Sequence, residues 1–336
     1  MRLLLKIVGV LLLLVLVIAG AGFLYFINRF PEVPPAQAVT LPTSPDVVAR
    51  GAYLAQHVAV CVDCHSERDW TRFAGPLKPG TFGQGGERFD TPNSGVPGTL
   101  YASNITPAGI GEYSDGELVR AVTTGVARDG RAMFPLMPYP NYGQLASDDV
   151  QAMLAYVRTL SRIDHQVPAR SLDFPMNLIV NIIPTAATPG VRPSPEDRVA
   201  YGKYVVTAAS CAECHTKIDD RGQKLPGMDF AGGVQFAGEQ GYRVRSANIT
   251  PDADSGIGQW TEEQVVSKFK AFEAPDEHVL SDAEQRQNTA MPWKQYAGMT
   301  REDLGAIYTY LRTIPKISNM VPDYAPPEKA PAPAKQ

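Results

Sequence analysis

Two copies of a cysteine pair followed by a histidine carry the chemistry of this sequence. The first copy reads Cys-Val-Asp-Cys-His and the second reads Cys-Ala-Glu-Cys-His. Two cysteines separated by two residues, with a histidine directly after the second, form the attachment signature of a c-type haem. Each thiol adds to one vinyl side chain of the porphyrin, and the adjacent imidazole reaches the iron as its proximal ligand. The predicted attachment residues and proximal ligands are Cys61, Cys64, Cys211, Cys214, His65 and His215.

Three other interpretations of the cysteine pairs remain open at this point. One pair could be a redox-active dithiol or a disulfide, and the two pairs together could form a four-cysteine zinc site. None of these interpretations requires a histidine after each pair. All four cysteines of the protein are used in the two motifs, and the motif occurs twice, so the sequence favours two covalently bound haem c groups.

Composition limits the remaining function classes. The 336 residues suffice for two domains of ordinary size plus additional segments. The formal net charge is −4, which argues against nucleic-acid binding, because such proteins usually carry a basic excess.

The N-terminal segment, residues 1–29, has the composition of a membrane anchor. Two basic residues precede an uncharged apolar run over 7–27, which would span about 30 Å as a helix. The positive-inside rule then leaves the short N-terminus in the cytoplasm and the rest of the chain on the periplasmic side of the cytoplasmic membrane. A cleaved signal peptide is the alternative, since 19–21 offers a small-residue cleavage site. The length of the apolar run favours the uncleaved anchor.

The remainder of the chain contains two copies of one ordered series of motifs. Each copy has a helix with glycine and tyrosine before the cysteine motif, then Phe-Ala-Gly, Asn-Ile-Thr-Pro and Gly-Ile-Gly, and a closing amphipathic helix. The matched positions are Gly51 and Gly202, Tyr53 and Tyr204, 73–75 and 230–232, 104–107 and 248–251, 109–111 and 256–258, and 155–160 and 309–314.

This repeat predicts an all-α fold of two tandem haem-binding domains with long haem-wrapping loops, plus one N-terminal transmembrane helix. The capping residues Ser44 and Ser194 open the first helix of each domain. The middle helices cover 115–124 and 261–272, and no alternation typical of strands is visible. The predicted segments are 1–29 (anchor), 30–43 (tether), 44–163 (domain 1), 164–193 (linker), 194–319 (domain 2) and 320–336 (disordered tail).

Two segments differ from the repeat. The apolar stretch 172–184 is predicted as a helix packed between the domains, with contact to a membrane surface or a partner as the alternative. An extension of ten residues lies within 272–286, because 33 residues separate Asn104 from the methionine at 137 and 43 separate Asn248 from the methionine at 291. It is acidic and is predicted to steer a basic redox partner, the alternative being a solvated loop.

The sixth iron ligand can be chosen by the repeat. Met137 and Met291 each begin a Met-Pro-aromatic turn, and each lies 19 residues before the matched tyrosine of the closing helix. A methionine in this position raises the potential and suits electron transfer. Met133 and Met299 are the next candidates. The alternative for any methionine is packing in the core.

Three histidines lie outside the motifs. His57 precedes the first motif, His165 begins the linker and His278 lies in a polar loop. Each is predicted to be an ordinary surface histidine rather than a ligand.

Taken together, these motifs resemble the cytochrome c subunits of membrane-bound bacterial alcohol, aldehyde and gluconate dehydrogenases. The resemblance covers 45–315 and includes the apolar linker at 174–178. It implies haem attachment at the four cysteines, proximal ligation by the two histidines and distal ligation by Met137 and Met291. It also implies partners among dehydrogenase or respiratory-complex subunits. Those subunits usually carry three haem sites, and this sequence contains two.

The predicted function is transfer of single electrons by a membrane-anchored periplasmic dihaem cytochrome c. The donor is a dehydrogenase or respiratory complex and the acceptor lies downstream. The sequence contains no nucleotide-binding loop and no paired nucleophile and base, so the protein is predicted not to be an enzyme. The alternative is a dihaem peroxidase, which would require one iron without its methionine.

Overall fold

The computed structural model describes residues 1–219, 222–238, 243–274 and 277–322, and this part of the chain is rich in short helices. The helices are α1 (Arg2–Arg29), α2 (Pro45–Tyr53), α3 (Cys61–Cys64), α4 (Thr91–Ser94), α5 (Pro107–Ile110), α6 (Asp115–Thr124), α7 (Tyr139–Tyr142), α8 (Ser147–Val157), α9 (Met176–Ile179), α10 (Arg198–Ala208), α11 (Cys211–His215), α12 (Glu262–Lys270), α13 (Asp282–Gln285), α14 (Trp293–Tyr296) and α15 (Arg301–Leu311). A π-helical turn covers Leu54–Val58 and a 3₁₀ turn covers Val180–Ile182. The strands are β1 (Arg88–Asp90), β2 (Gly98–Tyr101), β3 (Ser171–Leu172), β4 (Gln235–Ala237) and β5 (Arg243–Arg245).

These strands correct the all-α prediction. The order β1-β2-β3 forms one antiparallel sheet, and β4 pairs with β5. Each strand has only two to four residues, which is too short to show the apolar–polar alternation by which a strand is found in a sequence. The two sheets join loop segments to one another. Helices remain the main secondary structure of the described residues.

The N-terminal helix α1 is apolar and exposed. Its candidate membrane-spanning part, Arg2–Phe26, has a mean hydropathy of 3.0, and none of it is buried against the protein. Length and composition fit a membrane span, and they fit a signal sequence near the N-terminus as well.

The predicted tether at 30–43 is docked at its C-terminal end. Leu41 is buried, and its backbone N–H donates to the Asp115 carboxylate at the start of α6 (2.9 Å). A side chain at Gly116 would overlap the Gln37 carbonyl. The segment therefore packs on the first half of the protein, here defined as 44–163.

The same helix contact is found inside the first half and inside the second half, which is defined as 194–319. Gly51 of α2 lies against the Ala152 carbonyl of α8, and Gly202 of α10 lies against the Ala306 carbonyl of α15. A β-carbon at either glycine would overlap that carbonyl. Glycine thus permits the same close crossing of first and closing helices in both halves.

The Asn-Ile-Thr-Pro loops make the same contacts twice. The amide nitrogen of Asn104 donates to the Ile163 carbonyl (2.8 Å), and that of Asn248 donates to the Ile317 carbonyl (2.8 Å). Each asparagine oxygen accepts the backbone N–H of the threonine two residues later (2.9 Å). Each loop is therefore fastened to the segment that follows its closing helix.

The predicted match of the two Phe-Ala-Gly sequences is wrong. Phe230 donates its N–H to the side chain that follows the second histidine, and the residue that does this in the first half is Gly83. The N–H of Gly85 binds the His65 carbonyl (2.8 Å), and that of Gly232 binds the His215 carbonyl (2.6 Å). Residues 83–86 therefore correspond to 230–233. Positive φ angles, rather than residue identity, mark the equivalent turn.

Two further predictions about elements need correction. The helix expected at Ser194 begins at Arg198, because the Asp197 carboxylate caps it by accepting the N–H of Ala200 (3.1 Å). The apolar stretch 172–184 forms the end of β3, the single turn α9 and a 3₁₀ turn instead of a buried helix. Val180 is enclosed there, whereas Phe174 is 79% exposed. The predictions at 115–124 and 261–272 agree with α6 and α12.

The two halves share one hydrophobic core, and a tyrosine of each half donates a hydrogen bond to an aspartate of the other. The hydroxyl of Tyr53 in α2 donates to Asp303 of α15 (2.5 Å), and that of Tyr204 in α10 donates to Asp149 of α8 (2.7 Å). Each hydroxyl also accepts the backbone N–H three residues before that aspartate. The first helix of each half is therefore anchored to the closing helix of the other.

Candidate functional site

Each cysteine motif forms a single helical turn that follows a left-handed residue. Val60 before α3 has φ 45°, and Ser210 before α11 has φ 55°. Neither is glycine, so both positions carry backbone strain, which is typical of functional sites. In one helical turn, residues three apart lie on the same face. The two thiols of each motif therefore lie on one face of the turn, next to the histidine.

The histidines of the two motifs make the same hydrogen bond. Nδ1 of His65 lies 2.7 Å from the Ser103 carbonyl oxygen, and Nδ1 of His215 lies 2.8 Å from that of Ala247. A carbonyl only accepts, so Nδ1 carries the proton and Nε2 keeps its lone pair. Burial lowers the pKa of both histidines, which favours the neutral form that binds a metal.

The thiols lie where dense protein surrounds them, yet Cys64 and Cys214 remain accessible. Burial raises the pKa of Cys64 to about 12 and that of Cys214 to about 11. A redox-active dithiol requires the opposite shift, and all four cysteines are free rather than paired in disulfides. Among the described residues, which include every cysteine, no three His, Cys, Asp or Glu side chains are placed to hold a metal ion together. The raised pKa values thus count against a redox-active dithiol.

The same residues fit a covalently attached porphyrin. Accessible thiols on one turn, beside a neutral imidazole with a free Nε2, match the donor set of a c-type haem. The fit is found at both motifs, and it depends on the carbonyls that hold each Nδ1.

The two candidate distal methionines begin equivalent turns. The Met137 carbonyl accepts the N–H of Tyr139 (2.7 Å), and the Met291 carbonyl accepts the N–H of Trp293 (2.8 Å). Both methionines are half-buried and pack against the shared core. Met299 is 1% exposed and lies inside that core, so its sulfur has no open side.

A tyrosine ties each methionine turn to its own cysteine motif. Five residues after Met137, the hydroxyl of Tyr142 donates to the Ala59 carbonyl (3.0 Å). Five residues after Met291, the hydroxyl of Tyr296 donates to the Ala209 carbonyl (2.8 Å). Each accepting carbonyl lies two residues before the first cysteine of a motif. The structure therefore brings the predicted thiols and methionines into one region of each half.

Sequence reasoning missed these tyrosines, although their identical spacing from the two methionines was a usable signal. It also missed an ion pair between the first motif and the loop that follows it. Asp63 is 3% exposed, and its carboxylate lies 3.0 Å from Nη1 of Arg68. The guanidinium also lies over the ring of Trp70, 4.0 Å from its centroid. The corresponding Glu213 of the second motif is exposed and pairs with a lysine.

His57 was predicted to be a surface histidine, and this is wrong, because its side chain is half-buried. Nδ1 of His57 lies 3.0 Å from the Gln295 carbonyl of the second half. The exposed side chains of His165 and His278 agree with the prediction, and His278 lies 3.1 Å from the Glu284 carboxylate.

The extension around 272–286 lies against the first half. The N–H of Leu280 donates to the Thr71 carbonyl (2.9 Å), and the ring of Phe272 stacks on that of Phe73 at 5.5 Å between centroids. Glu284, one of the acidic side chains of this segment, belongs to the capping box of α13 and pairs with His278. The extension is thus partly an internal contact, and the predicted acid at 276 lies outside the described residues.

Comparison with known proteins gives consistent matches. Residues 199–315 match the cytochrome c family model. The chain is 29% identical to the cytochrome c subunit of alcohol dehydrogenase (quinone) from Gluconacetobacter polyoxogenes, over 81% of this chain and 56% of that protein. It is 30% identical to the gluconate 2-dehydrogenase cytochrome c subunit of Pantoea cypripedii, over 65% of this chain and 49% of that protein. It is 26% identical to a dihaem cytochrome c-type protein of Cereibacter sphaeroides, over 76% of this chain and 82% of that protein.

The chain therefore spans about half the length of the dehydrogenase subunits that it matches. These relatives are, by name, cytochrome c subunits of dehydrogenases rather than catalytic subunits. The second half of this protein contains a cytochrome c domain, and most of the chain resembles the cytochrome c subunits of dehydrogenases.

Proposed function

We propose that this protein is a membrane-anchored dihaem cytochrome c that passes single electrons in the periplasm. The observation that carries the proposal is the recurrence of one site in both halves. Each half has a strained turn with two thiols, a histidine whose Nδ1 is held by a carbonyl, and a methionine turn tied back by a tyrosine. We accordingly assign one cytochrome c domain to 44–163 and another to 194–319.

In this proposal the four cysteines hold two haem c groups by thioether bonds. The haem iron, when bound, supplies reversible one-electron oxidation and reduction. Ser103 and Ala247 orient the proximal imidazoles of His65 and His215 through their carbonyl oxygens. Met137 and Met291 would supply thioether ligands to the two groups, which would favour the reduced state and exclude peroxide. The long loops at 70–101 and 216–246, where the structure describes them, would wrap the two groups.

The shared core supports electron transfer between the two sites. The first turn of the second motif lies beside the first methionine turn, where the amide of Asn141 donates to Glu213 (3.2 Å). The loop after the first motif lies beside the segment that precedes Met291, where Asn288 contacts Trp70. Both contacts place a segment of one half against the region of the proposed site in the other, which supports electron exchange between the two proposed domains.

The proposed partners follow from the relatives and from α1. A dehydrogenase subunit or a respiratory complex is the donor, and α1 anchors the chain in the cytoplasmic membrane. Thioether attachment is completed on the outer side of that membrane in bacteria, which supports a periplasmic location for the haem domains. The exposed acids of 272–286, such as Glu277 and Asp282, are proposed to steer a basic redox partner at low ionic strength.

Spectroscopy and potentiometry test this function together. The oxidised protein should show the weak near-infrared charge-transfer band of sulfur-ligated haem, and titration should give two one-electron midpoints. Met137→Ala and Met291→Ala should each remove the contribution of one haem and lower one midpoint. Retention of the full band in both variants, or rapid peroxide turnover by the unaltered protein, would contradict the proposal and favour a peroxidase.

A further inference from the structure

The methionine turn of the second half contacts the first half both before and after Met291. Asn288 lies three residues before Met291, and His57 contacts Gln295 four residues after it. The contacts of these two side chains distinguish the second methionine turn from the first.

Asn288 is completely buried and connects the two halves directly. Its amide nitrogen donates to the carbonyls of Trp70 (3.2 Å) and Arg72 (3.1 Å), and its oxygen accepts the N–H of Ala74 (2.8 Å). These three residues belong to the loop that follows the first cysteine motif. A buried amide with this many partners has one permitted orientation, because any rotation leaves polar groups without a partner.

The same asparagine continues into the turn that presents Met291. Its oxygen also accepts the N–H of Thr289 (2.8 Å), and the hydroxyl oxygen of Thr289 accepts the N–H of Met291 (3.1 Å). A continuous series of hydrogen bonds therefore runs from the loop after the first cysteine motif to the backbone of Met291.

His57 contacts the other end of the turn because of one extra residue. Eight positions separate Tyr53 from Cys61, but seven separate Tyr204 from Cys211. The first half absorbs the extra residue as the π-helical turn Leu54–Val58, while the second half keeps a regular helix. Such one-residue insertions occur often at functional sites.

This π-helical turn contains His57, whose ring packs on Gly298. A β-carbon at Gly298 would overlap the imidazole, so glycine is required for the contact. The ring then lies 3.0 Å from the Gln295 carbonyl. The described part of the first methionine turn is held across the interface more weakly, since its side-chain contact there is the exposed pair of Asn141 and Glu213.

We infer that Asn288 and His57 are positioning residues through which the first domain fixes Met291 at the second haem. The inference rests on the proposed ligation by Met291. It makes the sulfur ligation of the second haem depend on side-chain contacts with the first domain, whereas the first haem has no equivalent dependence on Asn141.

Five variants of the full-length haem-loaded protein test the inference: Met291→Ala, Asn288→Ala, His57→Ala, His57→Gln and Asn141→Ala. The readouts are the near-infrared sulfur band and both midpoint potentials. Met291→Ala defines the signal of the second haem. Asn288→Ala and His57→Ala should weaken that same signal and lower the same midpoint, leaving the other midpoint unchanged. His57→Gln should restore the band, because its amide can donate to the Gln295 carbonyl. Asn141→Ala should match the parent.

The possible failures are distinguishable. If Met291→Ala retains the band, the proposed ligand is wrong and the inference falls with it. If Met291→Ala loses the band but His57→Ala and Asn288→Ala keep the parent's band and potentials, the ligand assignment stands and the positioning role is refuted. Should Asn288→Ala fail to fold, His57→Ala and His57→Gln decide the question alone.

Discussion

Removing the hydroxyl of Tyr53 or of Tyr204, which each bond across the interface, should lower the free energy of unfolding by unequal amounts. Tyr53→Phe and Tyr204→Phe each remove one hydroxyl that donates to a buried aspartate of the opposite half. The surroundings of the two aspartates differ. Asp149 also binds the guanidinium groups of Arg50 (3.0 Å) and Arg192 (2.6 Å). In the described structure Asp303 has no such ion pair, and its remaining side-chain donor is Tyr201 (2.9 Å).

The magnitudes follow from what each substitution leaves behind. Tyr53→Phe removes one of two hydroxyl donors from a carboxylate that is 6% exposed. Hydrogen bonds to charged groups contribute about 1.5–3 kcal/mol, so the free energy of unfolding should fall by about 2–3 kcal/mol. Tyr204→Phe leaves Asp149 with two arginines, and its cost should be about 1 kcal/mol. The predicted difference is about 1–2 kcal/mol.

Urea unfolding measures this difference without screening the ion pairs by salt. With a slope of about 2 kcal/mol per molar urea, Tyr53→Phe should lower the midpoint by about 1 M and Tyr204→Phe by about half as much. Because the halves share one core, far-ultraviolet circular dichroism and visible haem absorbance should give coincident transitions. Equal shifts for the two variants, or a larger shift for Tyr204→Phe, would refute the reasoning from arginine pairing.

Three further predictions concern stability. Arg68→Leu leaves the buried Asp63 carboxylate unpaired and should lower the free energy of unfolding by about 3 kcal/mol, with partial recovery when Asp63→Asn is added; equal costs in the single and double variants would contradict the ion pair. Gly202→Ala places a methyl group on a carbonyl of α15 and should cost about 1–3 kcal/mol, seen as a lower thermal midpoint; an unchanged midpoint would mean that the helices can separate freely. Burial raises the pKa of Tyr139 and Tyr201 to about 12. The unfolded chain loses these protons near pH 10 while the folded protein keeps them, so stability should fall as pH rises above about 10; a flat urea midpoint from pH 10 to 11.5 would exclude this linkage.

Local signals in the sequence predicted several elements around the proposed site. The cysteine motifs, the helix at 115–124 and the paired methionine turns are all encoded by short motifs or by capping residues, and the structure has a helical element or a turn at each of them. The incorrect match of the Phe-Ala-Gly sequences shows where this approach fails. The turn at 83–86 is equivalent to 230–233 through its positive φ angles and hydrogen bonds. Backbone conformation of that kind is only loosely recorded in residue identity.

Contacts between the halves were not predictable from either half alone. His57 looked like a surface residue because its partner, the Gln295 carbonyl, is 238 positions away. The acidic extension looked like a free loop for the same reason, since Asn288 and Leu280 contact the loop at 70–74. The charge and composition of a segment indicate whether it is favourable in water. They do not indicate which distant part of the chain it contacts.

The most direct test of the central claim is the number of covalent haems on each chain. Mass spectrometry of the denatured protein should show the polypeptide plus two haem c groups, and acidic organic solvent should leave the colour with the protein. Cys211→Ser should impair attachment at the second motif alone, so that the first haem stays bound and the second is lost or held by a single thioether. A parent protein that carries one haem or none, or that releases its colour into the solvent, would contradict the assignment of two cytochrome c domains.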